Sequence, residues 1–318
     1  MPLICYVQKN FHGKSLGLIH QANGILAEYA GLNLNLTLRQ LYYQFVARGV
    51  IENSFREYKK LQQLISDARL AGLIDWDSIV DRTRNLQSFP HWDSPADIIW
   101  QSSHSYREDK WATQKNHVEV WVEKDALIGV VERACELYQT PFFSCRGYTS
   151  QSEVWGAAQR LAELDKPATI LHLGDHDPSG VDMSRDIQDR MELFNADNVK
   201  VKRVALTMAQ IRKLNPPPNP AKITDSRAAG YIKQYGQQSW ELDALDPKFM
   251  IDLIHTETRK LIEMNEWEKA CAAEAEGKES LAELSREYEV AARFVKSPGA
   301  IARFEEWEED EQEQQEED

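Results

Sequence analysis

Residues 168–180 read ATILHLGDHDPSG, and the reading of this stretch decides the fold. Ala168 to His172 are mostly apolar or β-branched, with Ile170 and Leu171 at the centre, and the run stops at Gly174. A short apolar run closed by glycine reads as a buried strand ending at a turn. Asp175 and Asp177 follow at once, then Pro178, Ser179 and Gly180. Carboxylates just past a strand end stand where open α/β sheets place their ligands. A D-x-D turn can share one hard cation such as Mg²⁺. A solvated turn has the same pattern, so the pair alone does not choose between the two.

Working outward, residues 118–123 read VEVWVE, with Val118, Val120 and Val122 alternating at period two. Glu123 closes that strand, and a helical pattern runs on to about Tyr138. A short strand (141–145), a helix (151–164), the D-x-D strand, a helix (179–194) and a strand (199–206) follow. Strands alternating with helices predict an α/β fold with a parallel sheet and right-handed crossovers. Glu123, Asp175 and Asp177 then share one sheet edge.

Residues 1–33 read as a helical arm that packs on a neighbour, although Gly17 and Gly24 weaken the helix. Thr37 with Gln40 has capping-box spacing. Leu38, Leu41, Tyr42 and Phe45 then form one apolar stripe of a helix. Tyr43 lies off that stripe, beside Arg39 one turn back. Tyr42 is therefore expected in the core, and Tyr43 outward with a guanidinium next to it; a half-exposed tyrosine with a cation–π neighbour fits the same spacing. A second helix, about Arg56 to Ala71, turns Tyr58, Leu61, Leu64, Ile65 and Ala68 inward. Its opposite face carries Lys59, Lys60 and Arg69, and Gly72 stops it. Leu73 to Trp76 and Ile79 to Arg84, including Arg82, have the character of a β-wing. Helix, turn, basic helix and wing suggest a winged-helix DNA-binding unit; a plain helical hairpin has the same periodicity.

Two motifs carry a resemblance. Glu123 in Val122-Glu123-Lys124, followed by GDHDPSG at 174–180, resembles the Toprim domain. Its D-x-D-P-x-G form is similar to that of the topoisomerase VI A subunit and the meiotic double-strand-break proteins. LTLRQLYYQF at 36–45 resembles the motif around the cleaving tyrosine in the winged-helix domain of those A subunits. Together the motifs span 36–210, over half the chain. The resemblance implies an N-terminal winged-helix (CAP-like) domain, then a Rossmann-like Toprim domain with a helical C-terminal region. It implies Tyr43 as nucleophile, Arg39 as its supporting cation, Asp175 and Asp177 holding Mg²⁺, and Glu123 as ligand or proton shuttle. Phenols are poor nucleophiles near neutral pH, their pKa being about 10, so such help is needed. In the family the tyrosine of one subunit meets the acids of the other. The implied product is a double-strand break in duplex DNA with 5′-phosphotyrosyl links, made by a homodimer. Strand passage would require a separate GHKL ATPase B subunit. Compact stand-alone A-like proteins of phages, plasmids and bacteria match this chain in size. A related branch, the nuclease subunit of Wadjet-type plasmid defence, keeps the acids but cuts without a tyrosine. The alternatives are thus a hydrolytic Toprim nuclease, against which Tyr43 speaks, and a non-catalytic DNA-binding protein, against which the three acids speak.

The expected boundaries are an arm (1–33), the winged helix (34–86), a connector with a helix near Ser94 to Ser105 (87–116), the Toprim domain with its helical extension (117–296) and an acidic disordered tail (297–318). The net charge of −14 is uneven. From Arg303 on there are ten acidic residues against one basic, whereas the first 90 residues hold ten basic against seven acidic. Local patches, not the total, govern phosphate contact. Arg146, in a turn at the acid edge, is a further phosphate candidate; a structural salt bridge is its other reading. Glu241 and Asp243 form an E-x-D after Trp240, whose secondary metal role is the less favoured reading. His91 and His104 read as surface or packing residues, and His172 and His176, which flank the acids, as packing residues. No apolar run spans a membrane, and the four cysteines lack C-x-x-C spacing, which fits a cytoplasmic, nucleoid-associated protein with reduced thiols.

Overall fold

Ile19, Ala22, Ile25, Leu26 and Tyr29 recur on one stripe, and their burial winds residues Gly13–Ala30 into helix α1. Gly17 and Gly24 sit inside it, each facing open space. Each costs about 1 kcal/mol against alanine, which the buried stripe outweighs. The computed structural model of the chain describes residues 3–80, 89–295 and 299. They fall into two compact units, one taking the chain to residue 85 and again from 115 to 262, the other 86–114 and the chain from 263.

In the first unit, helix α2 (Leu38–Ala47) opens with the expected capping box between Thr37 and Gln40. Helix α3 (Phe55–Leu70) is capped by Ser54 and buries Leu61, Ile65 and Ala68. The three helices share one core that includes Leu36, Leu41, Tyr42, Tyr43, Phe45 and Ile74. Gly72 ends α3 with a left-handed φ of +72°, and a Cβ there would stand 2.8 Å from Cys5 N. The N-terminal residues cross at that point, where Cys5 bridges Ala71.

The β-wing is not formed by residues 73–80. Trp76–Ser78 make a 3₁₀ turn, and Ile79 makes a single parallel bridge to Leu36. Asp75 accepts from Asp77 N at 2.9 Å, which favours the turn over an extended strand. Arg82 and Arg84 lie outside the described residues, as does nearly all of the acidic tail.

In the second unit, helix α4 (Pro95–Ser105) matches the expected helix and packs along a later 32-residue helix, introduced below. Residues 86–114 therefore belong to a separate compact unit. The expected connector is long enough to bury a helix face of its own.

Back in the first unit, strand β1 (His117–Val122) leads through a 3₁₀ turn into helix α5 (Ile128–Glu136). Strand β2 (Phe142–Ser144), helix α6 (Gln151–Ala162), strand β3 (Ala168–Leu173), helix α7 (Pro178–Leu193) and strand β4 (Val199–Ala205) follow. All pairings are parallel, in the order β2-β1-β3-β4. Trp121, Ile170, Val154, Leu161, Met183 and Ile187 fill the layer under α6 and α7. Alternation turns Val118, Val120 and Val122 to the opposite face, where α5 packs on β1.

Glu119, which alternates with the valines of β1, is an acid inside the sheet. It is 3% exposed and bonded by Trp121 Nε1 (2.8 Å) and Arg160 (2.7 Å). A parallel sheet covered on both faces leaves no solvent side, so a carboxylate on it must be paired.

Helix α8 (Met208–Leu214) ends at Asn215 in the left-handed region, before the prolines. A two-residue ladder pairs Asn219–Pro220 with Gln238–Ser239 and encloses helix α9 (Ala228–Tyr235). A 3₁₀ turn at Leu242–Ala244 leads to helix α10 (Pro247–Arg259), which packs on α5. Helix α11 (Met264–Val295) belongs to the second unit. There Lys110 pairs with Glu274, both buried, and Trp111 meets Trp267 edge-on at 6.1 Å. Among the described residues no helix is long and apolar enough to cross a membrane.

Candidate functional site

The register carries β1 and β3 to the same edge, with Val122 opposite Leu173. Glu123 and Asp175 therefore leave neighbouring strand ends, as expected. Glu123 Oε2 accepts from Asp175 N at 2.7 Å. Asp177 caps α7, accepting from Gly180 N (2.6 Å) and Ser179 Oγ (2.9 Å). The glycine of the motif has a steric reason: a Cβ on Gly180 would stand 2.3 Å from Asp175 O and 3.0 Å from Glu123 Oε2.

Arg203 of β4 holds the turn from below. Its guanidinium donates to Gly180 O (2.7 Å), Gly174 O (2.9 Å) and Asp175 O (2.5 Å). Sequence reading did not single it out; its signal was an arginine inside the run VKVKRVAL.

Asp175 faces a second acidic turn. Its Oδ1 accepts from Leu242 N at 2.8 Å, and its Oδ2 lies 3.0 Å from Lys124 Nζ. Lys124 also reaches Glu241 Oε2 (2.9 Å) and Asp243 Oδ1 (3.0 Å). Arg39 of α2 binds the same Glu241 Oε2, and its Nε lies 2.8 Å from Asp243 Oδ2. The E-x-D pair is thus a partner of Arg39 and Lys124 at the acid edge.

Burial drives the Asp175 carboxyl up to about 7; Glu123 and Asp243 add to the rise and Lys124 opposes it. Burial raises Glu123 as well, with Asp177 adding to it. Burial also works against ionised Glu241, but Lys124 and Arg39 outweigh it and hold that carboxyl at about 2.

Tyr43 is buried, 4% exposed, which corrects the outward placement. The helix period put it off the stripe facing α1 and α3, but the turn at Leu242–Ala244 packs against α2 and covers that second face. The expected guanidinium is there, with Arg39 Cζ 5.7 Å from the ring centroid. Burial, then Glu241, push the Tyr43 phenol well above its usual range, with Arg39 opposing. Tyr43 and Arg39 line a cavity of about 230 Å³ together with Asp175, Asp177 and Lys222. A more open crevice of about 470 Å³ adjoins Glu123, Arg146, Asp175 and Asp177.

The expected cationic contacts divide. Lys59 is exposed, 5.6 Å from the Phe55 ring centroid, and Lys60 is exposed and pairs with Glu57 at 2.6 Å. Arg69 is a structural residue, stacked 4.5 Å over Trp76 and donating to Trp76 O at 2.6 Å. Arg146 is exposed and 3.2 Å from Asp125. His172 bonds Ser184 Oγ at 2.7 Å, and His176 packs among Tyr231, Tyr235 and Trp240. Burial lowers both imidazoles, to about 3 and about 4.

The carboxylates suit a hard cation by donor class. Mg²⁺ takes one or two carboxylates and keeps several waters. Among the described residues Glu123 Oε1 accepts no hydrogen bond, and Asp177 Oδ2 meets only Lys222 Nζ, at 3.9 Å, so both oxygens keep lone pairs for a cation. Among the same residues no ready-made cage of three such side chains exists. Compared with protein-family models and with curated proteins, the chain gives no match.

Proposed function

We propose that this chain cleaves duplex DNA by tyrosine transesterification, in the manner of a topoisomerase VI A subunit. One observation carries the reading: Tyr43 and Arg39 line the same cavity as Asp175 and Asp177. The Tyr43 phenol attacks the scissile phosphorus, the bond to the 3′ oxygen breaks, and a 5′-phosphotyrosyl link forms. Arg39 steadies the phenolate, and Glu123 accepts or returns the proton. Asp175, Asp177 and Glu123 are the residues that would hold Mg²⁺, which supplies charge stabilisation at the reacting phosphate. The resemblance pairs these groups across two subunits; here Tyr43 shares its cavity with the acids of its own chain. A homodimer would present two such sites to the two strands, and a separate GHKL ATPase would supply strand passage.

The burial of Tyr43 and the engagement of Arg39 by Glu241 and Asp243 favour a second reading, a hydrolytic Toprim nuclease. A supercoiled-plasmid assay with Mg²⁺, stopped with detergent and run with and without protease, separates the two. Transesterification leaves protein on the 5′ ends and is lost in both Tyr43→Phe and Asp177→Ala. Protein-free ends, with cutting that survives Tyr43→Phe but not Asp177→Ala, establish hydrolysis instead.

A further inference from the structure

Three donors from three separate segments converge on the carboxylate of Glu241. Arg39 of α2 and Lys124, just past β1, both reach Oε2, and Asn219 Nδ2 donates to Oε1 at 3.2 Å. Two cations on one oxygen with an amide on the other is the arrangement that grips two non-bridging oxygens of a phosphate. Glu241 is also the less enclosed of the two acids in its turn: its side chain is 26% exposed, that of Asp243 2%. It lines both the tyrosine cavity and the acid crevice.

The cations do not depend on Glu241 for their position. Asp243 holds Arg39 Nε at 2.8 Å and Lys124 Nζ at 3.0 Å, and Asp175 holds Lys124 again at 3.0 Å. With the Glu241 carboxylate swung away, Arg39 and Lys124 stay beside Tyr43 and Asp175, each with a donor vacated. Buried Asp243 thus acts as a positioning residue, while half-buried Glu241 occupies the place the two cations define.

We infer that Arg39, Lys124 and Asn219 form a binding site for a phosphodiester group, and that Glu241 fills this site as an internal substitute which the substrate displaces. The inference rests on the reading of the site as one that takes nucleic acid, and it adds the contacts to the phosphate and a built-in competitor for them.

The test measures binding of a short fluorescent DNA duplex to the full chain in EDTA, beside binding of inorganic phosphate, for wild type, Glu241→Gln and Asp243→Asn. Both variants remove one negative charge two residues apart, so a long-range charge effect alone would raise affinity equally. Displacement of an internal substitute predicts about tenfold tighter binding for Glu241→Gln, the equivalent of one freed charge-assisted contact. Asp243→Asn should show no gain or a loss. Thermal melts confirm that each variant is folded, and Glu241→Ala repeats the first variant without an amide that can still hydrogen-bond. An equal gain in both variants, no gain in Glu241→Gln and Glu241→Ala, or no binding of either probe overturns the inference. If phosphate follows the expected pattern while DNA does not bind at all, the phosphate site stands and the DNA reading falls.

Discussion

The two acidic turns of the site are built by opposite means. The D-x-D turn at 175–177 is held by the backbone: Asp177 caps α7, Asp175 N bonds Glu123, and Arg203 gathers three carbonyls. The acids of the E-x-D turn at 241–243, whose preceding Trp240 pairs by backbone with His176, are instead engaged by side-chain charge, through Arg39 and Lys124. A turn fixed by its own backbone leaves a local motif, including a glycine where nothing larger fits. A turn fixed by ion pairs needs only acids at suitable places, and those are common on any surface.

The largest effect expected is on the first turn. Gly180→Ala drives a Cβ to 2.3 Å of Asp175 O, and should cost about 3 kcal/mol in urea unfolding, as rigid overpacking does. An alanine tolerated at no cost would mean the turn is not set by that close approach. Arg203→Met removes the donors beneath the turn and leaves buried carbonyls short of partners, a loss of about 2 kcal/mol by the same measurement. A neutral result would show that water replaces the guanidinium.

The third test is one of sign, because the turns should respond to pH in opposite directions. Asp175 has a folded pKa raised to about 7, so the folded state binds the extra proton between the ordinary carboxylate range and 7. Its contribution is best in acid and is lost as pH rises through about 7. Glu241 has a folded pKa depressed to about 2, so its contribution is present above the ordinary glutamate range and fades only as pH falls towards 2. Urea midpoints of wild type against Asp175→Asn and Glu241→Gln, measured without metal from pH 3 to 8 (about the range set by these values), check both slopes. Parallel curves would remove the electrostatic distinction between the turns.

Much of the first turn was legible in the chain. An apolar run ending at Gly174, two carboxylates, a proline at the start of a helix and Gly180 are consequences of local geometry, and the alternation of strand and helix placed Glu123 on the same edge. The capping box at Thr37 and Gln40 was legible for the same reason. Tyr43 was half legible: helix period told it from Tyr42 and put Arg39 beside it, but not what covers the other face of α2. Over residues 73–80 the wing reading missed the turn that Asp75 starts, because hydrophobicity does not register it.

The sequence by itself determined what depends on neighbours along the chain: the strands and helices of the parallel sheet, the caps, and the acids at strand ends. Only the tertiary structure decided the company those acids keep. Arg39 and Glu241 stand 202 positions apart, and their pairing across Lys124 exists because α2 packs on the turn at Leu242–Ala244. Charge acts through space at short range with no memory of chain order, so the fold, not the spacing, sets which carboxylates meet which cations and buries Tyr43 beside Arg39.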